Sequence, residues 1–165
     1  MTERTDLLQR LDAVEARLAA RSTTAVADEA RTTADAKSGE QWEAGQVWAH
    51  LAEFIPFWID QTQLVVDRYT DEPVAFGRVS TDPGRLGAIE RDRTQPISVL
   101  WIATHSDLET LRLFIEELDE SAWSARGLHT TRGVMDVQRI LDEFLVGHLE
   151  EHADQLDSLA HAGAG

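Results

Sequence analysis

The sequence predicts an all-α protein, a four-helix bundle in up-down-down-up order with a long crossover between its second and third helices. Three observations carry this prediction. Apolar residues recur at spacings of three and four in four separate segments. No stretch alternates convincingly at the two-residue period of a strand. One connection, residues 71–95, is twenty-five residues long, well beyond the ~12–15 residues usual for a loop in a compact domain. Its simplest use is to carry the chain the length of the bundle, which makes the second and third helices parallel. The 165 residues are expected to form one domain, 1–165.

The first helix is predicted over about 5–21, where Leu7, Leu11, Val14 and Leu18 form the stripe. A polar Ala/Thr/Asp stretch, 22–41, follows and is too polar to anchor much core. The second helix, about 43–69, places Val47, His50, Phe54, Phe57, Trp58, Gln61 and Val65 on one side, with a kink expected at Pro56. Within the crossover, 73–79 is the nearest approach to a strand, but it is short and interrupted by Gly77. The third helix is expected over about 96–118, with Pro96 in its first turn and Leu100, Leu108, Leu111, Phe114, Ile115 and Leu118 facing inward. The fourth starts after Gly133, with Asp136 as N-cap, and runs to about residue 160. Its shorter approach, 119–135, returns it antiparallel to the third.

Composition narrows the function. Thirty acidic residues against fifteen basic ones give a net charge of −15, so the chain lacks the clustered positive charge with which proteins neutralise nucleic-acid backbones or anionic membranes. No nucleic acid and no membrane are expected as partners. Cysteine is absent, which excludes disulfides, thiolate metal sites and cysteine nucleophiles. The polar start, 1–6, and the lack of any long apolar run point to a cytoplasmic protein.

The chemistry lies in the histidines. His148 and His152 are four apart and share one face with Val137, Leu141, Phe144, Leu145 and Leu159. His50 occupies the same kind of position on the second helix, so three imidazoles aim at one interior. Counting residues from the helix ends places His50 level with His148 and His152 if those two helices run antiparallel, the arrangement the crossover requires. Three buried imidazoles at one height would repel one another if charged, and a shared divalent cation is the economical explanation. Three imidazoles with an open position suit zinc, and imidazole also suits nickel and iron, with zinc or nickel the favoured expectation. His105 reads as a flank residue, His161 as a solvated tail residue, and His129 as a loop residue that could overhang a cavity.

Two competing motifs fail. His148-Leu149-Glu150-Glu151-His152 fits the inverted zinc-protease signature, yet only thirteen residues follow it, too few for that family's further ligand. The di-iron bundle motif, Glu-x-x-His, is absent, since no histidine has a glutamate three residues before it.

The segment Trp42-Glu43-Ala44-Gly45-Gln46-Val47-Trp48-Ala49-His50-Leu51-Ala52 resembles the opening of the second helix in DinB-like proteins. His148-Leu149-Glu150-Glu151-His152-Ala153-Asp154-Gln155-Leu156 resembles their closing H-x-x-x-H-x-x-Q-[IL]. His129 followed by Gly133 is similar to the short loop before that last helix. The resemblance spans roughly residues 40–157, and the Ser or Thr usual at the start of the second helix is replaced by Glu43. It implies a divalent metal on His50, His148 and His152. It also implies enzymes that use a small-molecule thiol, such as mycothiol-dependent isomerases and S-transferases acting on an electrophilic substrate. Glu151, Gln155 and His129 are candidate supporting groups around the ligands, and Trp42 and Trp48 could line the mouth or pack beside it. The alternative is a non-catalytic metal- or ligand-binding bundle of the stress-protein kind, with a homodimer compatible with either reading.

Overall fold

The computed structural model describes residues 3–162. Four long helical segments form its frame: α1 (Glu3–Ser22), α2 (Ala44–Arg68), α4 (Ile97–Glu117) and a composite C-terminal rod. The rod consists of α5 (Val137–Ile140), a wide π turn (Leu141–Val146) and α6 (Gly147–Ala162). The crossover between α2 and α4 is not plain loop. It contains strand β1 (Val74–Phe76) and helix α3 (Pro83–Asp92).

The all-α expectation is therefore corrected by a small three-stranded sheet. β1 pairs in parallel with β2 (Arg126–His129), in register Phe76↔His129, and β2 pairs antiparallel with β3 (Gly133–Asp136). Each strand is three or four residues long, too short to display a period. The β1–β2 pair joins segments about fifty residues apart in sequence, which local pattern cannot reveal. Close packing holds the sheet to α2: a Cβ on Gly127 would lie 2.5 Å from the Phe76 ring and 2.9 Å from Val65.

Side-chain pairs fix the helix directions. Trp58 stacks on Phe144 and His50 meets His148 and His152, so α2 and the C-terminal rod run in opposite senses. Arg10 bonds Asp142 and Glu150 while Arg17 and Arg21 bond Asp157, so α1 runs with the rod. Arg112 pairs with Asp12 and Glu15, and His105 with Glu15, so α4 runs against α1. Between these elements lies one apolar core in which Leu11, Leu18, Phe54, Leu108, Leu111, Ile140 and Leu141 are fully buried.

The caps follow from local chemistry. α2 begins after Glu43, whose extended backbone N–H donates to Gln46 Oε1 at 3.0 Å while its carboxylate holds Arg93. Asp136 Oδ1 accepts from Arg139 N at 2.8 Å and starts the rod. α2 is helical across Pro56. No helix among the described residues is long and apolar enough to cross a membrane.

Candidate metal centre

The site joins the N-terminal end of α2 to the start of α6. His50 stands in the second turn of α2 and is 2% exposed; His152 is 5% exposed, and His148 is half-buried beside it. The π turn precedes the two α6 histidines. A turn of this width absorbs an extra residue and resets the faces that follow it. It brings Phe144, stacked on Trp58 at 4.2 Å, and His148, 4.8 Å from the Phe54 ring, onto the side facing α2. Gly147 makes this possible, since a Cβ there would meet the Asp142 carbonyl oxygen at 2.7 Å.

The three rings converge through the same atom. His148 Nε2 lies 3.1 Å from His50 Nε2 and 3.0 Å from His152 Nε2, and the three nitrogens all fall within 4.8 Å of one another. Each ring uses its other nitrogen on an acceptor three residues further along its own helix. His50 Nδ1 meets Glu53 Oε1 at 2.7 Å, His148 Nδ1 meets Glu151 Oε2 at 3.2 Å, and His152 Nδ1 meets Gln155 Oε1 at 2.7 Å. An acceptor at Nδ1 places the proton there and leaves the Nε2 lone pair free. Three lone pairs then face one another at hydrogen-bond distance with no hydrogen to share. That arrangement fits a cation, and the donor set could hold a divalent metal ion.

The electrostatics favour the neutral form of His50 and His152. Burial, reinforced by the neighbouring imidazoles, holds His50 well below the ordinary histidine range, and the same two causes act on His152. Glu53 is pushed up by burial, against which Arg78 works by donating from Nη2 to both carboxylate oxygens at 2.8 and 2.6 Å. Arg78 itself lies over the Phe57 ring, 3.9 Å from its centroid. Glu151 is held down by its hydrogen bond to His148.

A cavity of about 620 Å³ opens against the site, with His50, His148 and Glu151 on its wall together with Trp58, Phe144 and His129. No fourth His, Cys, Asp or Glu among the described residues joins the three nitrogens. The nitrogen cluster therefore has an open side. Trp42 closes another side, its ring parallel to His152 at 6.3 Å and edge-on to His50 at 5.4 Å.

The structure sorts the remaining candidates. Glu151 and Gln155 hold ligand rings. His129 does not: its Nε2 donates to the Arg78 carbonyl, and its Nδ1 accepts from the Thr131 and Arg132 backbone. It is a cavity wall that fixes the hairpin, hydrogen-bonded to none of the three histidines. Trp48 is core, packed edge-on to Trp101 and away from this cavity. His105 pairs with Glu15, and His161 is exposed. Glu53 was not singled out from the sequence, although the signal was present: H-x-x-E at 50–53 and 148–151 and H-x-x-Q at 152–155.

No family model matches the sequence, and no curated protein matches it. Solved structures do match its fold. YfiT from Bacillus subtilis, described as a probable metal-dependent hydrolase with an unusual four-helix bundle topology, superposes with a TM-score of 0.74 at 18% identity, covering 96% of this chain and 86% of that one. A mycothiol-dependent maleylpyruvate isomerase gives 0.66 at 16% identity, covering 94% of this chain and 63% of the isomerase. An uncharacterised protein from Escherichia coli UTI89 gives 0.67 at 12% identity, covering 98% and 94%. The chain thus shares the fold of a probable metal-dependent hydrolase and of a mycothiol-dependent isomerase, in keeping with the DinB-like resemblance of its two histidine motifs.

Proposed function

We propose that the protein is a divalent-metal-dependent enzyme of the thiol-S-transferase or isomerase type, with zinc or nickel on His50, His148 and His152. The observation that carries this reading is the convergence of three Nε2 atoms, each with its Nδ1 committed to an acceptor, on the wall of a cavity. The thiol part of the reading draws its support from the resemblance and from the isomerase neighbour.

A divalent ion bound there supplies Lewis acidity that lowers the pKa of a thiol or a water. The chain's own residues do the rest. Glu53, Glu151 and Gln155 lock the rings in the ligating tautomer, and Arg78 anchors Glu53 in turn. Trp42 covers His152 and keeps water from that side. Trp58, Phe144 and His129 form an aromatic wall against which an electrophilic substrate can lie. The alternative, a non-catalytic metal- or ligand-binding bundle, calls for a closed site, and the open cavity weighs against it.

Metal analysis of protein purified without a His-tag tests the first half. Stoichiometric divalent metal is expected in the wild type and in His105→Ala, and none in His50→Ala with helix content unchanged. Equal metal in the two variants refutes the three-histidine site. A screen of thiol cosubstrates on the loaded protein tests the second half, and thiol-independent turnover would refute the thiol reading.

A further inference from the structure

The cavity beside the histidines is basic, in a protein of net charge −15. Lys37, Arg78, Arg85 and Arg132 all line it, each from a different segment. Two of the four are spoken for. Arg78 is tied to both oxygens of Glu53, and Arg132 approaches Glu143 at 3.9 Å. Arg85 differs. It is half-buried on α3, its guanidinium sits 5.4 Å from the centroid of the Trp42 ring, and its single side-chain hydrogen bond among the described residues runs from Nη1 to the Ser80 carbonyl at 2.8 Å. Its Nε–H and Nη2 donate to no described residue, and no carboxylate among the described residues forms an ion pair with it. Lys37, exposed at the rim, feels the charge of nearby Asp35, but its ammonium makes no close ion pair among the described residues.

Glu53, Glu40 and Asp82 act on the Arg85 guanidinium only from a distance, and a half-buried guanidinium with no directly bonded counter-ion is costly. The free Nε and Nη2 edge presents two parallel donors, the pattern that binds a carboxylate through both oxygens. Trp42 links the two sites, with one neighbour being Arg85 and the others the ligand rings of His50 and His152. A ligand whose anionic end reaches Arg85 therefore lies alongside the histidine cluster.

We infer that Arg85, assisted at the rim by Lys37, is a carboxylate-binding subsite that orients a carboxylate-bearing ligand toward the three-histidine centre. The inference rests on the proposed function for what happens at that centre, but the subsite itself needs no metal. The carboxylate can belong to the thiol cosubstrate or to the electrophile.

The test begins with metal-free, chelator-treated protein titrated with benzoate, benzamide and inorganic phosphate, followed by NMR chemical shifts of the tryptophan indole N–H groups. Benzoate suits the aromatic wall, and benzamide has the same shape without the charge. Benzoate is expected to bind the wild type at least tenfold more tightly than benzamide, and Arg85→Met, which keeps the side-chain length over Trp42, should lose that difference. Arg85→Lys, which keeps the charge but not the fork, should recover only part of it. Equal benzoate binding by wild type and Arg85→Met, with both folded by circular dichroism, overturns the subsite. Phosphate binding as tightly as benzoate overturns its assignment to carboxylates. These outcomes are independent of metal content, so they separate failure of the subsite from failure of the metal reading. In the loaded protein, 3-mercaptopropionate against 2-mercaptoethanol then identifies the source. An Arg85→Met penalty confined to 3-mercaptopropionate places the carboxylate on the thiol, and a penalty that follows the electrophile instead places it there. A penalty with neither overturns the orienting role.

Discussion

Acid should unfold the metal-free protein through its buried histidines, by an amount that the structure allows to be worked out. His50 and His152 are almost completely buried, and burial holds both well below the ordinary value near 6.5. In the unfolded chain they titrate at ~6.5. Below that pH the unfolded state binds more protons than the folded one, so stability present above ~6.5 is lost as pH falls. For a histidine that stays neutral when folded, moving from pH 7.5 to 5.5 costs about 1.4 kcal/mol, or about 2.7 kcal/mol for the pair. Asp107 works the other way. Burial raises its carboxyl to about 6, so the folded state takes up a proton there and gains stability as pH falls through that value. The measurement is therefore made in an Asp107→Asn background. Glu53, also raised by burial, opposes the histidines in the same sense, and comparison with a His152→Gln variant in that background cancels it. Urea unfolding of chelated protein, followed by far-UV circular dichroism at pH 7.5, 6.5 and 5.5, should show the His152→Gln protein losing about 1.4 kcal/mol less than its parent over that range. Equal losses in the two proteins would refute the reasoning, because they would mean that His152 titrates alike in the folded and unfolded chains.

Three further outcomes are expected. Glu53→Gln weakens the acceptor that fixes His50 and removes the charge that pairs with Arg78, and metal competition titrations should show affinity reduced about 10–100-fold with the fold retained. Gly77→Ala forces a side chain onto a backbone at φ +87° and sets its Cβ 2.5 Å from the His129 ring; a loss of about 1–3 kcal/mol is expected in denaturant melts, and an unchanged midpoint would contradict the packing described. Binding to labelled duplex or single-stranded DNA should be undetectable at ~10 μM protein in ~0.15 M salt, and a salt-sensitive gel shift there would overturn the argument from charge.

The helices and the histidine trio were legible because both are expressed in local spacing. Leu7, Leu11, Val14 and Leu18 declare α1, and His148 and His152, one turn apart within an apolar stripe, declare an inward pair. The sheet was not legible, since β1 and β2 are too short to show alternation and meet only in the folded chain. α3 is hidden in the sequence because Gly84 and Gly87 depress helix propensity and only Ile89 is buried; its one local signal is Asp82 before Pro83, a cap followed by a proline in the first turn. Glu53 escaped for a narrower reason. The di-iron motif concerns residues three before each histidine, whereas the acceptors stand three after. His129 lines the cavity, as its loop position suggests, but its sequence neighbourhood cannot show that the backbone claims both ring nitrogens.

Every ligand nitrogen and every group that orients it comes from α2 or α6, while Lys37, Arg78, Arg85 and Arg132 reach the cavity from connections. The histidine cluster and the basic side chains of its surroundings are thus encoded in separate stretches of chain. On the proposed reading, mutational drift in the linkers would exchange one clientele of small molecules for another without disturbing the two helices that carry the three histidines. Grafting residues 71–95 and 126–136 between bundles of this fold is then a direct route to new reactivity, with metal content as the invariant.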